Sequence, residues 1–191
     1  MKNLNLLIVE DNPKHMADLK IVLEQELPKW PIQMNTTWTT TLEDACYGLQ
    51  RADIVMSDVF FPTGSGGREA PNGQNVAAEA LAAGKPIVLV TSTYHHGDRT
   101  ESIHEWCLEN KVTLFDCYSL NRNAEAAEKP WKRALYGLLV VATAQEMGIG
   151  IEHVSSEVSA CLPVSQKLAE EGFPSYKGEW TPYSFDFSQP E

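Results

Sequence analysis

In Leu6-Leu7-Ile8-Val9-Glu10-Asp11, four consecutive apolar residues run straight into two carboxylates. An apolar run without alternation suits a strand buried on both faces, as in a parallel sheet with helices above and below. The same pattern returns in Asp53-Ile54-Val55-Met56-Ser57-Asp58, which again ends on acid, and in Pro86-Ile87-Val88-Leu89-Val90-Thr91, which ends on a hydroxyl. Two further strands are expected at Ile32 to Trp38, where Ile32, Met34, Thr36 and Trp38 alternate with polar residues, and at Val112 to Tyr118.

Helices are expected between these strands. Asn12-Pro13 offers a cap and a first-turn proline ahead of Met16, Leu19, Leu23 and Leu27 at helical spacing. Thr41 with Asp44 makes a capping-box start for a helix through about Leu49, and Asp98 with Glu101 makes another before Ile103, Trp106 and Cys107. Asn75 to Ala83 is rich in helix formers and stops at Gly84. Pro130 opens a helix whose apolar face holds Trp131, Ala134, Leu135, Leu138, Leu139 and Ala142. Five strand-then-helix units in succession predict an α/β, doubly wound, five-stranded parallel sheet over residues 1–147.

Residues 148–191 fall outside that pattern and form a C-terminal extension, expected to pack on the domain or on a partner. It offers one helix near Ser155 to Glu171 and then an aromatic stretch: Phe173, Tyr176, Trp180, Tyr183, Phe185 and Phe187. The surface Leu138-Leu139-Val140-Val141 is unusually apolar for a lone domain, so this extension or a second copy of the chain is expected to cover it.

Composition narrows the function. With 191 residues, 43% of them hydrophobic and 21% charged, the chain can build a core without disulfides. The net charge of −11 and the absence of a basic run leave no electrostatic grip for nucleic acid. The apolar run at the N-terminus is too short for a signal or membrane segment, and the four scattered cysteines (Cys46, Cys107, Cys117, Cys161) suit a reduced, cytoplasmic setting as small buried apolar groups.

In a doubly wound sheet the chemistry gathers beyond the carboxyl ends of the strands, where the strand order reverses. Glu10, Asp11, Asp58 and Thr91 are therefore expected along one edge. Three close carboxylates do not stay ionised together without a cation, and hard oxygen donors suit Mg²⁺. With such an ion beside it, Asp58 could act as a nucleophile toward a phosphoryl donor while Thr91 bonds a phosphoryl oxygen.

Together these residues resemble the response-regulator receiver family of two-component signalling over roughly residues 4 to 147. The acidic pair in LLIVEDN is similar to that family's metal pair, Asp58 in ADIVMSDVFFP to its phosphoacceptor with Pro62 four residues on, Thr91 in PIVLVTS to its switch hydroxyl, and Asn72-Gly73 to the turn opening its third helix. The resemblance implies a flavodoxin-like receiver fold with Mg²⁺ held by Glu10, Asp11, Asp58 and the backbone carbonyl of Phe60. It also implies a phosphorelay role with at most slow self-dephosphorylation. A histidine kinase or phosphotransfer protein would be the donor, a downstream protein would receive the output, and a homodimer is a further candidate.

Two features depart from the family. No lysine follows the fifth strand directly; the nearest candidate is Lys129, before Pro130 and beyond an insertion covering Leu120 to Glu128, and it returns to the site if that segment loops out. A second insertion, Thr63 to Pro71, reads as a surface loop or as a lid carrying Arg68. His95-His96 reads as part of a solvated loop, and Phe115 or Tyr118 as strand packing or as the family's switch aromatic. A receiver-like scaffold that takes no phosphate is the competing expectation. An aspartyl phosphatase is disfavoured, because Phe60 stands where its second aspartate would be.

Overall fold

The computed structural model describes residues 2–93, 101–116, 129–149 and 158–174. In chain order its elements are β1 (Lys2–Val9), α1 (Pro13–Glu26), a 3-10 turn (Leu27–Lys29), β2 (Ile32–Thr39), α2 (Leu42–Leu49), β3 (Ile54–Asp58), β4 (Phe61–Pro62), β5 (Glu69–Ala70), α3 (Asn72–Ala82), β6 (Ile87–Val90), α4 (Glu101–Asn110), β7 (Thr113–Phe115), α5 (Trp131–Glu146) and α6 (Val158–Glu170). Five strands form one parallel sheet in the order β2-β1-β3-β6-β7, the expected doubly wound α/β arrangement. From β1 the chain steps outward to β2, then crosses to β3 and continues the other way, so the reversal lies between β1 and β3.

The unalternating strands are buried on both faces, and each face has its own helices. Leu6, Ile8, Ile54, Met56, Val88 and Val90 pack with Leu19 and Leu23 of α1 and with Ala134, Leu135 and Leu138 of α5. Their neighbours Leu7, Val9, Val55, Ile87 and Leu89 point the opposite way, onto Ala45 and Leu49 of α2, Val76, Ala77 and Ala80 of α3, and Ile103 and Cys107 of α4. Two expected caps are present: the Asn12 side chain accepts from Lys14 N ahead of α1, and Thr41 Oγ1 accepts from Asp44 N at 3.2 Å ahead of α2. Asp98 lies outside the described residues.

Several boundaries differ from expectation. Helix α3 begins at Asn72, not Asn75, so Gly73 lies in its first turn. There the helix presses against the end of β3: a Cβ on Gly73 would meet the Asp58 carbonyl oxygen and would stand 2.8 Å from Val59 Cα. The Thr63 to Pro71 insertion closes as a hairpin: β5, near its end, pairs antiparallel with β4 just before it, with Phe61 opposite Ala70 and Pro62 opposite Glu69, and the stretch between them is a surface loop. Arg68 is exposed on this hairpin. Strand β7 is confined to Thr113–Phe115. Cys107 is buried as expected, but Cys46 is exposed, since Ala45 and Leu49 take the inward face of α2 and turn their neighbour to solvent.

The extension returns to the domain through α6. Val164 and Leu168 join the apolar cluster of α5, and Phe173 stands edge-on to Trp30, itself edge-on to Tyr136, at centroid distances of 5.8 and 5.5 Å. The apolar Leu138, Leu139 and Val140 are buried, so the expected cover is supplied by the chain itself. Beside this cluster, Tyr136 donates to Glu26 Oε2 at 2.9 Å, and the Lys29 and Lys132 ammoniums each stand 3.0 Å from Oε1. Burial alone would raise the Glu26 pKa; these three donors outweigh it and hold the carboxyl below its usual range. Among the described residues, no helix is long and apolar enough to cross a membrane.

Candidate functional site

At the reversal between β1 and β3, the strand ends deliver Glu10, Asp11 and Asp58 to one place. Backbone pairing aligns Val9 with Ser57, so the residues just beyond stand side by side. One oxygen from each of the three carboxylates lies within 4.8 Å of the other two. Glu10 and Asp58 are buried, and Asp11 is half-buried. Neighbouring donors on a divalent ion stand roughly 3 to 4 Å apart at metal–oxygen distances of about 2.1 Å, so small side-chain adjustments would suit this set to a hard cation. The residues therefore fit a metal site of acidic oxygens.

Lys129 returns to this centre. Its ammonium lies 2.6 Å from Glu10 Oε2 and 2.7 Å from Asp58 Oδ1, and 5.3 Å from the ring centre of Trp131. The helix start at Trp131 fixes the approach, with Trp131 N donating to the Lys129 carbonyl at 2.8 Å. The insertion from Leu120 to Glu128 lies outside the described residues, as does Tyr118, while the lysine after it occupies the site.

Backbone amides hold the carboxylates in place. Val59 N donates to Asp58 Oδ1 at 2.7 Å, and Asn12 N donates to Glu10 Oε1 at 2.9 Å. Past Asp58, the Val59 carbonyl accepts from Gly73 N at 3.0 Å and the Phe61 carbonyl from Asn72 Nδ2 at 2.7 Å. These bonds pin the turn on both sides of Phe60, the residue whose carbonyl was expected to serve the ion.

Burial dominates the electrostatics. It pushes the Asp58 carboxyl up to about 6; the Lys129 charge pulls it down and the Glu10 charge pushes it up. Glu10 is raised by burial against the opposing pull of Lys129, and Asp11 is raised chiefly by burial. In all three carboxyls burial is the first cause of the raised pKa, and the Lys129 charge only partly offsets it.

Thr91 follows Val90, the residue paired with Asp58 across the sheet, and is buried. Its hydroxyl shares a 2.8 Å hydrogen bond with the Thr93 hydroxyl and accepts from Thr93 N at 3.2 Å. Phe115 is buried against Gly137, with the Arg133 guanidinium 5.5 Å from its ring centre. His95 and His96 lie outside the described residues.

One residue beside the site escaped the sequence reading. His15 is buried in the first turn of α1, with Nδ1 3.7 Å from Glu10 Oε1 and without a hydrogen-bond partner among the described residues. The signal was available: His15 is the third residue after the Asn12 cap, a position whose side chain turns back toward the preceding strand end.

No family model and no curated protein matches the chain. Among solved structures, a fusion of the yeast Spc42 trimeric coiled-coil segment, amino acids 181–211, to another structure is similar, with a TM-score of 0.50 and 14% identity over 89% of this chain and 94% of that one. Likeness at that identity concerns the fold alone.

Proposed function

We propose that the protein is a receiver-type phosphoryl switch of two-component signalling, accepting a phosphoryl group on Asp58 in the presence of Mg²⁺. The observation that carries the reading is Lys129 Nζ standing 2.7 Å from Asp58 Oδ1 beside Glu10 and Asp11. Nucleophile, charge-balancing ammonium and acidic metal donors thus converge at the reversal of a doubly wound sheet. A purely structural strand end has no need of that combination, since burying two carboxylates beside a third is costly.

The chain's own residues set up the transfer. Among the described residues, the Lys129 and Val59 contacts of Asp58 are both made by Oδ1, which fixes the plane of the carboxylate and presents Oδ2 for attack. Oδ2 forms the new bond to phosphorus as the bond from phosphorus to the donor's leaving atom breaks, giving an acyl phosphate. Lys129 then pairs with a phosphoryl oxygen, and Thr91 leaves Thr93 to hydrogen-bond another. When bound, Mg²⁺ offsets charge on the carboxylates and on the incoming phosphate oxygens. A histidine kinase or phosphotransfer protein is the proposed donor, and a downstream protein partner reads the rearranged loop at Thr91.

Incubation with acetyl phosphate, with and without Mg²⁺, followed by intact-mass analysis tests the reading. One hydroxylamine-labile phosphoryl adduct that needs Mg²⁺ and vanishes in Asp58→Ala is the expected result, with an altered lifetime in Lys129→Ala. No adduct on a chain shown to bind Mg²⁺ would favour the phosphate-independent scaffold.

A further inference from the structure

The sheet has two edges, and they are guarded very differently. Strand β7 presents three residues among those described, whereas β2 presents eight, Ile32–Thr39, paired with β1 on one side in an unbroken parallel register. Glu10 N donates to the Thr39 carbonyl, so Thr39 faces β1. In a parallel ladder both backbone groups of a residue face the same neighbour, and alternate residues face opposite ways. Gln33, Asn35 and Thr37 therefore face β1 as well. The N–H and C=O of Ile32, Met34, Thr36 and Trp38 point outward, with no partner strand among the described residues. A bare edge is a template for a further strand, and proteins usually blunt it with charge, proline, a bulge or short length. This edge has none of these: no charged residue occurs from Pro31 to Leu42, and no proline from Ile32 to Thr39. Beside it, a groove of about 290 Å³ is lined by Thr37, Thr39, Thr40, Asp44 and Tyr47, and Tyr47 is 64% exposed.

We infer that β2 pairs with β2 of a second copy of the chain, antiparallel about a two-fold axis at Thr36, joining the two sheets into one. A two-fold axis makes the same edge its own complement and satisfies the outward groups of both copies together. Centred at Thr36, the pairing sets Thr36 opposite its equivalent and Met34 opposite Trp38 of the second copy; all are outward-facing, so they form closely hydrogen-bonded pairs. Met34 and Trp38 share the α1 face of the strand, where both are half-buried against the core and the Lys20 ammonium stands 5.4 Å from the Trp38 ring centre. A thioether against an indole is a favourable contact. Charge selects a second copy over a foreign strand. A chain of net charge −11 repels its own copies, and that repulsion is least along the uncharged run from Pro31 to Leu42. A foreign strand of opposite charge would find nothing to pair with there. Asp44, the carboxylate lining the groove, already accepts from Thr41 Oγ1 at 2.9 Å.

Sedimentation velocity of the full-length chain over a range of concentrations, with backbone amide exchange followed by NMR, tests this. The expected result is a species of twice the chain mass in which the outward amides of Met34, Thr36 and Trp38 are protected. They should lose protection on dilution, while the inward amides of Asn35 and Thr37 stay protected throughout. Thr36→Lys sets like charges directly opposite each other and should shift the dimer to monomer, although it lowers the net charge. Thr36→Pro removes an outward N–H and no bond of the β1 ladder, and should do the same. If the proline variant folds poorly, Thr36→Lys decides the matter alone. A dimer that survives these substitutions would put the interface elsewhere and overturn the inference. So would a wild type that stays monomeric at every concentration, whether its outward amides exchange freely or are protected by residues 175–191 of the same chain.

Discussion

Two buried carboxylates share one ammonium at the reversal between β1 and β3, Lys129 Nζ meeting Glu10 Oε2 at 2.6 Å and Asp58 Oδ1 at 2.7 Å. Removing the ammonium in Lys129→Met leaves both carboxylates uncompensated, and about 3–5 kcal/mol of stability is expected to go with it in EDTA, partly restored by a divalent cation. Urea denaturation with and without metal measures this, and an unchanged midpoint would show that the pair contributes nothing. The Asp58 carboxyl, lifted to about 6 by burial, gives a second expectation. A raised carboxyl pKa means the folded state binds the proton more tightly than the unfolded chain does. The associated stability is therefore full below the ordinary carboxylate range and lost as pH rises through 6. In EDTA, Asp58→Asn should melt above the wild type at pH 8, by on the order of 2 kcal/mol, with the gap closing toward pH 4. Thermal melts across that range decide it, and a variant less stable at pH 8 would mean that the ion pair outweighs the cost of burial. At this scale the sequence was informative for Glu10, Asp11 and Asp58, because each terminates an apolar run. Lys129 was readable only as a candidate, since the chain between β7 and α5 carries no pattern saying where it emerges. His15 was missed because it lies off the apolar stripe of Met16, Leu19, Leu23 and Leu27, and the Asn12 cap was used to start the helix without asking where its third residue points.

Helix α3 is seated on the end of β3 by the missing side chain of Gly73. In Gly73→Ala the new Cβ would meet the Asp58 carbonyl and Val59 Cα, backbone atoms that cannot rotate aside. A loss of about 1–3 kcal/mol is expected, together with a weaker metal site, because Asp58 itself must shift. Metal titration beside chemical denaturation would show both, and a destabilised variant with undiminished metal affinity would detach α3 from the site. Helix α6 is held mainly by Val164, Leu168 and the nearby Phe173 against α5 and Trp30. Leu168→Ala should cost about 2–5 kcal/mol, and native-state hydrogen exchange should show α5 losing protection along with α6. Exchange confined to α6 would mean that the extension docks without supporting the core. Most of these elements were legible from unalternating runs and caps, as with Leu6 to Val9 and Asn12-Pro13. The β4–β5 hairpin was not, because strands of two residues carry no periodicity. The early start of α3 was missed because Pro71 occupies the cap position without supplying a capping side chain.

For the molecule as a whole, sheet order and charge point the same way. The order β2-β1-β3-β6-β7 reverses where the acidic residues stand, and a net charge of −11 supplies no electrostatic grip on nucleic-acid phosphates. The central claim, that Asp58 is the phosphoryl acceptor, is most directly tested by borohydride trapping. Borohydride reduces an aspartyl phosphate to homoserine, and peptide mapping then identifies the position. After exposure to acetyl phosphate and Mg²⁺, homoserine is expected at position 58 in the wild type, none without Mg²⁺, and none in Asp58→Asn. Aspartate remaining intact at 58, in protein whose Mg²⁺ occupancy has been verified, would contradict the account and leave a buried acidic site that binds a cation without taking phosphate.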